Sequence, residues 1–396
     1  MTATKSDALP NLFGVAQRDD GYFVNRYGLF GRQEIRAMWV RRLIQAYSAI
    51  DDEQFQPASL DLRLGKEVYR VRASFLPGRD RSVMEHLESL NPERISLSDG
   101  GAVLEKGIVY IAPLIERLEL LPSLSGAANP KSSTGRLDIF TRLIVDRNEA
   151  FDEVPVGYHG PLYVEISPRS FSVRVREGSR LNQIRFRSRN PKQKNLMDFA
   201  LKDQEIRERH EKSPLVDDDL DVREGLVVRV ALRGSPGQIV GYRAQKNGDI
   251  IDVDQPAGYA AEEFWEPIRA RQDGRLILDP DQFYILASRE KMQIPADLAA
   301  EMAPIDPAIG EFRVHYAGFF DPGFGQGPGG RPNAQAVLEV RSRDVPFLLE
   351  DGQPVGRLVF EKLRDKADEL YGAAARSNYQ GQGLKLSKHF RPYGAT

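Results

Sequence analysis

One short segment of this sequence combines the residue types that bind phosphate. It places three hydroxyls, two cations and a glycine in six consecutive positions. Hydroxyls and backbone N–H groups bind phosphate oxygens, the cations supply charge, and the glycine lets the backbone approach closely. The segment therefore predicts a phosphate-binding turn, with a solvated turn before a strand as the alternative. Its members are Lys131, Ser132, Ser133, Thr134, Gly135 and Arg136.

Two glutamates lie in apolar, strand-like sequences and are candidates for acid–base chemistry. Glu165 stands within residues 162–166, and Glu339 stands within residues 336–340. Burial raises the pKa of a carboxyl group toward the range in which it exchanges protons at neutral pH. The alternative for either residue is a place on the solvent face of its strand.

The two glutamates belong to an internal repeat. An offset of 174 residues relates Glu165 to Glu339 and also relates Tyr110 to Tyr284, each within a strand-like sequence. A register kept over this distance indicates a duplication. The two copies are therefore expected to form homologous domains.

We predict these domains at residues 1–194 and 195–396. Runs with a period of two, separated by Gly, Pro and Asp, predict many short strands. Helical periodicity is confined to residues 34–49, 196–210 and 364–375. The predicted fold class is all-β with peripheral helices.

Composition excludes several classes of function. The chain has 396 residues, no cysteine and a formal net charge of -2 at pH 7. It therefore has no disulfide, thiol nucleophile or thiolate zinc site. The charge provides no general attraction for nucleic acid, and the longest apolar stretch is far short of the roughly 20 residues of a membrane span. We expect a cytoplasmic protein with a small-molecule partner, and neither nucleic acid nor membrane.

Four blocks of sequence together resemble the dCTP deaminase and dUTPase superfamily, and dCTP deaminase more closely. Residues 131–136 look like its basic-Ser-Ser-x-x-Arg nucleotide motif, and residues 59–65 look like its early strand. Asp321-Pro322-Gly323 followed by Glu339 looks like its Asp-Pro-Gly turn and catalytic glutamate strand. Tyr371 and residues 378–383 look like its nucleotide-closing tail.

The resemblance implies two tandem dUTPase-like β-barrel or jelly-roll (β-clip) domains and hydrolysis of dCTP to dUTP and ammonia. In this family a glutamate, without zinc, takes a proton from water, the hydroxide attacks C4 of cytosine, and Mg2+ accompanies the triphosphate. The catalytic candidates are Glu165 and Glu339. The nucleotide-binding residues that it implies are Lys131, Ser132, Ser133, Thr134, Gly135, Arg136, Asp321, Tyr371 and Gln382.

The family's sites lie between subunits of a homotrimer, which leaves two arrangements for a tandem chain. If like domains form like rings, the turn meets Glu165, which we favour, and the second-domain ring is structural. In the second domain, residues 305–310 correspond to the turn, and they contain no hydroxyl pair and no cation. In the other arrangement one chain builds the site from both repeats, and the turn faces Asp321 and Glu339.

The sequence is also compatible with three other functions. A dUTPase, a bifunctional deaminase and dUTPase, and a non-catalytic nucleotide sensor are the alternatives. The tail also departs from the family, because Asn378 stands where a lysine is usual. We expect Arg376, Lys385 or Lys388 to contact phosphate instead.

Overall fold

The structure, a computed structural model, describes residues 21–24, 26–189, 199–304, 312–314, 318–342, 344–372 and 379–394. Below, residues 26–189 are the first half, residues 199–372 the second half, and residues 379–394 the C-terminal segment. Strands dominate both halves. In the described residues, the α-helices are α1 (Gly21–Val24), α2 (Arg32–Val40), α3 (Val83–Leu90), α4 (Ser132–Gly135) and α5 (Asp203–Lys212). None of these helices is long and apolar enough to cross a membrane.

The strands fall into two comparable series. Those of the first half are β1 (Gly28–Leu29), β2 (Ile44–Ala46), β3 (Leu60–Leu62), β4 (Glu67–Val71), β5 (Glu93–Ser96), β6 (Ala102–Leu104), β7 (Val109–Glu119), β8 (Leu124–Pro130), β9 (Ile139–Val145), β10 (Glu153–Val154), β11 (His159–Pro168), β12 (Val173–Val175) and β13 (Asn182–Ser188). Those of the second half are β14 (Leu226–Arg229), β15 (Ile239–Ala244), β16 (Ile251–Asp252), β17 (Trp265–Arg269), β18 (Arg275–Leu278), β19 (Phe283–Met292), β20 (Leu298–Pro304), β21 (Phe312–Val314), β22 (Phe319–Phe320), β23 (Ala334–Ser342), β24 (Phe347–Glu350) and β25 (Pro354–Lys362).

Two antiparallel sheets enclose the core of the first half. One has the order β1-β13-β8-β10, with β3 also on β13, and the other has the order β5-β4-β7-β11-β9, with β2 also on β7. Ala128 and Ile184 of the first sheet share one hydrophobic cluster with Ala112 and Val164 of the second. Strands whose alternate residues meet across two sheets form a β sandwich.

The second half repeats this arrangement. Its sheets have the orders β14-β25-β20-β22 and β17-β15-β19-β23-β21, and Leu358 of the first packs in one cluster with Leu338 of the second. Even a side-chain hydrogen bond recurs at the offset of 174: the Glu105 N–H donates to the Tyr110 hydroxyl at 3.0 Å, and the Asp279 N–H donates to the Tyr284 hydroxyl at 2.9 Å. The predicted duplication and the predicted all-β class with few helices agree with this architecture.

Buried charges join the two halves where β13 meets β20 and β25. Arg187 donates to both carboxylate oxygens of Glu361 at 2.6 Å, and both side chains are buried. Arg185 donates to the backbone oxygen of Ala300 at 3.0 Å and to the Asp321 carboxylate at 3.1 Å. Among the described residues, the partners that offset the cost of burying these arginines come from the other half, so the contacts fix how the halves meet.

The first predicted helix is shorter than its periodicity indicates. Helix α2 ends at Val40, and Arg42 adopts a left-handed backbone conformation with φ 59°. The chain then continues as β2, where Ile44 pairs with Leu118 of β7. The second half of the predicted helix therefore includes a strand that pairs in the sheet.

The other two helix predictions are also corrected. Residues 196–198 lie outside the described part of the chain, and Leu201 donates its N–H to the oxygen of Phe360 at 2.8 Å before α5 begins at Asp203. Residues 364–372 contain no helix. Their backbone bonds to distant segments instead: the Arg364 N–H donates to the Leu29 oxygen at 2.7 Å. These tertiary partners replace the local hydrogen bonds that a helix requires.

Candidate active site

One cavity of about 440 Å³ brings together most of the predicted site residues. Both halves and the C-terminal segment line it, so it is assembled within a single chain. Its lining includes Asp61, Lys131, Ser132, Ser133, Arg136 and Arg180 from the first half, Asp321, Val337, Glu339 and Tyr371 from the second half, and Tyr379, Gln382 and Lys388 from the C-terminal segment.

The predicted phosphate-binding turn forms one wall of this cavity. It leaves the end of β8 and winds through the single turn of α4, closed by hydrogen bonds from the N–H groups of Thr134 and Gly135 to the Lys131 oxygen at 2.8 and 3.0 Å. The cations and the first two hydroxyls of the turn line the cavity. Thr134 and Gly135 are buried and do not line it, so they shape the turn without reaching the cavity.

Glu339 lies on the opposite series of strands, in β23, and reaches the same cavity. Its neighbours Leu338 and Val340 point into the core of the second half, so the alternation of the strand directs Glu339 the other way. Only 6% of the residue is exposed. Burial raises the pKa of its carboxyl group from 4.5 to about 8; Arg136 opposes this rise and Asp138 adds to it.

Glu165, which the sequence analysis favoured as the catalytic residue, does not line the cavity. It is buried in β11 and accepts hydrogen bonds from Nε and Nη2 of Arg142 at 3.1 and 2.7 Å. Arg142 lies directly opposite on β9 and also covers the ring of Phe151, with its guanidinium carbon 3.6 Å from the ring centre. The carboxylate of Glu165 is therefore held in an ion pair and kept away from the phosphate-binding turn.

The two glutamates differ because different elements cover the same face of equivalent strands. In the first half, Tyr163 on the face of Glu165 packs against Val83 and Leu87 of α3. In the second half, Val337 on the face of Glu339 packs into the cluster of the first half. Glutamates at equivalent register positions are therefore covered by packed side chains in one copy and face the cavity in the other.

Arg136 connects the turn to the C-terminal segment. It donates to the Gln382 side-chain oxygen at 3.1 Å and to the Lys385 backbone oxygen at 3.0 Å, and its guanidinium carbon lies 3.9 Å from the ring centre of Tyr379. Its Nε is buried and has no hydrogen-bond partner among the described residues. Arg136 therefore ties the turn to the C-terminal segment and still lines the cavity.

Asp321 and Tyr371 reach the cavity from the second half. Asp321 begins the predicted Asp-Pro-Gly turn, and burial raises the pKa of its carboxyl group while Arg185 opposes that rise. Tyr371 donates its N–H to the oxygen of Pro322 at 2.8 Å, and its ring lies 5.7 Å from that of Phe324. The turn and Tyr371 therefore form one packed wall.

The C-terminal segment is fastened to the phosphate-binding turn beyond Arg136. Ser387 donates from its hydroxyl to the Ser133 oxygen at 2.8 Å, and its hydroxyl also lies 2.9 Å from Nδ1 of His389. Of the three cations expected to replace a tail lysine, Lys388 lines the cavity and Lys385 does not. Arg376 and Asn378 lie outside the described residues.

Asp61 and Arg180 are among the charged cavity residues to which the sequence analysis gave no role. Asp61 forms an ion pair with Lys131, and Arg180 bonds to Asp51 at 2.7 Å. Asp61 could have been recognised from the sequence, because it interrupts the apolar pattern of Leu60 and Leu62 within a strand. Arg180 could not, because its loop becomes part of the cavity only through the tertiary fold.

In the described part of the chain no group of three or more His, Asp or Glu side chains is arranged to hold a metal ion. The cavity offers hydroxyls, cations and carboxylates. This donor set suits a nucleotide phosphate and a proton-transferring carboxylate.

Family models match both halves. The model of the 2'-deoxycytidine 5'-triphosphate deaminase N-terminal domain matches residues 26–190, and the model of the C-terminal domain of the same family matches residues 202–390. The predicted boundary between residues 194 and 195 lies outside the described residues.

Individual proteins agree with this assignment. The chain is 32% identical over 131 residues to a dCTP deaminase of Haloarcula marismortui and 33% identical over 116 residues to a dUMP-forming dCTP deaminase of Halobacterium salinarum. These matches cover 32% and 28% of this chain and span 63% and 55% of the relatives. The crystal structure of 2'-deoxycytidine 5'-triphosphate deaminase from Agrobacterium tumefaciens matches with a TM-score of 0.80 and 49% identity, over 86% of this chain and 100% of that one. The chain therefore belongs to the dCTP deaminase family.

Proposed function

We propose that this chain hydrolyses dCTP to dUTP and ammonia, with Glu339 as the residue that moves the protons. The observation that carries the proposal is the meeting of Glu339, Arg136 and the serines of the phosphate-binding turn in one cavity. Family membership supports the substrate, since the relatives are dCTP deaminases. This is the arrangement in which both repeats build one site.

The proposed reaction replaces the C4–N4 bond of cytosine with a C4–O bond. Glu339 takes a proton from a water molecule and passes it to N3 as the hydroxide attacks C4. It then moves the remaining hydroxyl proton to N4, the C4–N4 bond breaks, and ammonia leaves. A pKa of about 8 suits a group that must both accept and return a proton near neutral pH. Arg136 lines the same cavity and supplies a cation that can hold the substrate beside this carboxylate.

Zinc is not needed for this proposal, and magnesium enters it as part of the substrate, bound to the triphosphate. The chain has no cysteine, whereas zinc deaminases hold the metal through a His/Cys/Cys or Cys₃ set and use a separate glutamate for proton transfer. Removal of magnesium by a chelator is expected to raise the KM for dCTP. Equal kinetics with and without magnesium contradict that role.

Incubation with dCTP and magnesium, with ammonia and the nucleotide product both measured, tests the function. We expect one ammonia per uracil nucleotide formed. A chain that is folded and binds dCTP but turns over neither dCTP, dCMP nor dUTP supports the nucleotide-sensor alternative and contradicts the proposal.

A second candidate activity is the further hydrolysis of dUTP to dUMP. It is favoured by the name of the Halobacterium salinarum relative, a dCTP deaminase that forms dUMP. Separation of dUTP from dUMP and pyrophosphate in the same incubation distinguishes the two products. Conversion of added dUTP to dUMP would mark a bifunctional enzyme.

The β-clip topology of each half and a homotrimer stay predictions of the resemblance, and a cytoplasmic location stays a prediction from composition. Because the cavity is lined within one chain, the activity is not expected to require a trimer. Measurement of specific activity across dilution, alongside the molar mass in solution, tests this.

A further inference from the structure

A buried ion pair crosses from one half to the other behind the wall of the cavity. Arg341 of β23 binds the Asp138 carboxylate through Nη2, and its Nη1 donates to the backbone oxygen of Asp281. Arg341 is 9% exposed and Asp138 is 1% exposed. Neither of the two is among the residues that line the cavity. Any effect of this pair on the reaction therefore passes through residues that do line it.

The Asp138 end of the pair is fixed to the phosphate-binding turn. Asp138 follows Arg136 by two residues, and its N–H donates to the Gly135 oxygen at 2.8 Å. Its backbone is left-handed, with φ 56°, a conformation that aspartate and asparagine adopt more readily than most residues. Ser170 donates from its hydroxyl to the Asp138 carboxylate at 2.6 Å. The carboxylate is therefore held in one place relative to the turn.

The Arg341 end of the pair is fixed to the strand of Glu339. Arg341 follows Glu339 by two residues on β23, so both side chains leave the same face of the strand. Val337 lies on this face too, and Phe283 pairs with Arg341 from β19; both pack into the cluster of the first half. The face that presents Glu339 to the cavity is therefore the face that Arg341 fastens to the first half.

The pair connects the two groups that the proposed reaction brings together. Arg136 belongs to the first half and Glu339 to the second, so their separation depends on how the halves meet. Asp138 and Arg341 join them with a step of two residues along the backbone on each side. Because a misplacement of about 1 Å can lower an enzymatic rate by about 100-fold, a link this short bears on catalysis.

Asp138 also acts on Glu339 through its charge. Burial is the main cause of the raised pKa of Glu339; Arg136 from the phosphate-binding turn lowers that pKa, and Asp138 from beyond the turn raises it. On the strand of Glu339 itself, Arg341 offsets the charge of Asp138 by pairing with it. Loss of Asp138 and loss of Arg341 should therefore move the pKa of Glu339 in opposite directions.

We propose that Asp138 and Arg341 are positioning residues for deamination, and that their ion pair holds the strand of Glu339 in place against the phosphate-binding turn. The inference rests on the proposed function, in which Glu339 moves the protons. It gives a contact between the halves, outside the cavity, a role in the reaction as well as in stability.

The test compares Asp138→Asn, Arg341→Gln, the double variant and Arg341→Lys. Each of the first two should lower kcat for dCTP by about 10- to 100-fold and change KM by less than about threefold, because the lining residues are kept. The pH midpoint of kcat/KM should fall by about 1 unit in Asp138→Asn and rise by about 1 unit in Arg341→Gln. The two shifts should cancel in the double variant, and Arg341→Lys should recover most of kcat.

Arg275→Gln and Glu350→Gln are the matched controls, because they remove the same kinds of charge from an exposed ion pair of 2.8 Å between β18 and β24. Both should match the wild type in kcat, KM and pH midpoint. A pH midpoint that stays unchanged in Asp138→Asn and Arg341→Gln, or moves in the same direction in both, overturns the inference even where kcat falls, since loosened packing alone gives that result.

Thermal unfolding of each variant identifies a loss of activity caused by misfolding. If the single variants do not fold, the double variant decides, because it leaves neither charge buried without its partner. A lower kcat at unchanged KM in the double variant then supports the inference, and an unchanged kcat overturns it.

If the folded wild-type chain deaminates no dCTP, the proposed function fails. The inference is then decided without turnover, by urea unfolding across pH with and without Glu339→Gln in each background, which reports the pKa of Glu339. Opposite shifts of this pKa in Asp138→Asn and Arg341→Gln support the link from the ion pair to Glu339, and equal values in all backgrounds overturn it.

Discussion

Replacement of Glu339 with glutamine should remove activity and stabilise the fold, and both effects follow from its burial. The carboxyl group has a pKa of about 8 in the folded chain and an ordinary value of 4.5. At pH values between 4.5 and about 8, the Glu339 carboxyl group is ionised in the unfolded chain and protonated in the folded chain. The stability contributed by the protonated form is therefore complete below pH 4.5 and is lost as the pH rises toward 8.

The magnitude follows from the linkage relation. One pKa unit corresponds to about 1.4 kcal/mol, so ionisation of this group lowers the free energy of unfolding by about 1 kcal/mol at pH 5 and about 3 kcal/mol at pH 7. Glutamine has no such dependence on pH. The stability of Glu339→Gln relative to the wild type should therefore increase by about 2 kcal/mol between pH 5 and pH 7.

Urea unfolding at the two pH values measures this change, and dCTP turnover measures the loss of proton transfer, expected to be about 10²- to 10⁴-fold in kcat. Glu165→Gln is the matched control, because it makes the same change at the equivalent position of the other copy. It should retain activity and lose stability, since it breaks the ion pair with Arg142. If the difference in stability between Glu339→Gln and the wild type stays constant with pH, Glu339 is not protonated and buried as inferred. Full activity in Glu339→Gln, with loss in Glu165→Gln, refutes the choice of catalytic residue.

Three further predictions test the cavity. The value of kcat/KM for dCTP should rise about tenfold per pH unit below about 8 and level off above it, because Glu339 must lose its proton to act as a base; a profile flat from pH 6 to 9 contradicts this. Arg185→Lys should lower the free energy of unfolding by about 3 kcal/mol in urea titrations and raise KM, because it loses bonds that hold Asp321; unchanged KM would limit Arg185 to a structural role. Ser387→Ala should raise the KM for dCTP severalfold without altering kcat, because it frees the C-terminal segment from Ser133; a change in kcat alone is the contrary result.

The sequence was sufficient for the repeat, the fold class and most of the cavity. Strand-like runs at a constant offset depend on local pattern, and a motif of hydroxyls and cations depends on residue type, so both can be recognised without a structure. The register of Glu165 and Glu339 was also recognisable, because equivalent strands keep equivalent faces.

The choice between the two glutamates could not be made from this register. It depends on which element covers each strand, and α3 over Tyr163 is joined to that strand only by tertiary packing. Arg142 became informative only once its strand was known to pair with β11. Arg180 was missed for the same reason, because only the tertiary fold brings it to the cavity.

The contact between Arg187 and Glu361 indicates why a single asymmetric cavity suits a duplicated chain. These residues are 174 positions apart, which is the offset of the repeat, so equivalent positions of the two copies face each other. In an association of identical copies about a twofold axis, the same residue would face itself, and two buried like charges would repel. Divergence within one chain permits an arginine opposite a glutamate. The same freedom permits one copy to keep the phosphate-binding turn and the other to keep a glutamate that lines the cavity. A complementary buried pair at equivalent positions therefore favours assembly of unlike halves. Among the described residues, the cavity between these halves is the only place where the phosphate-binding turn meets a strand glutamate.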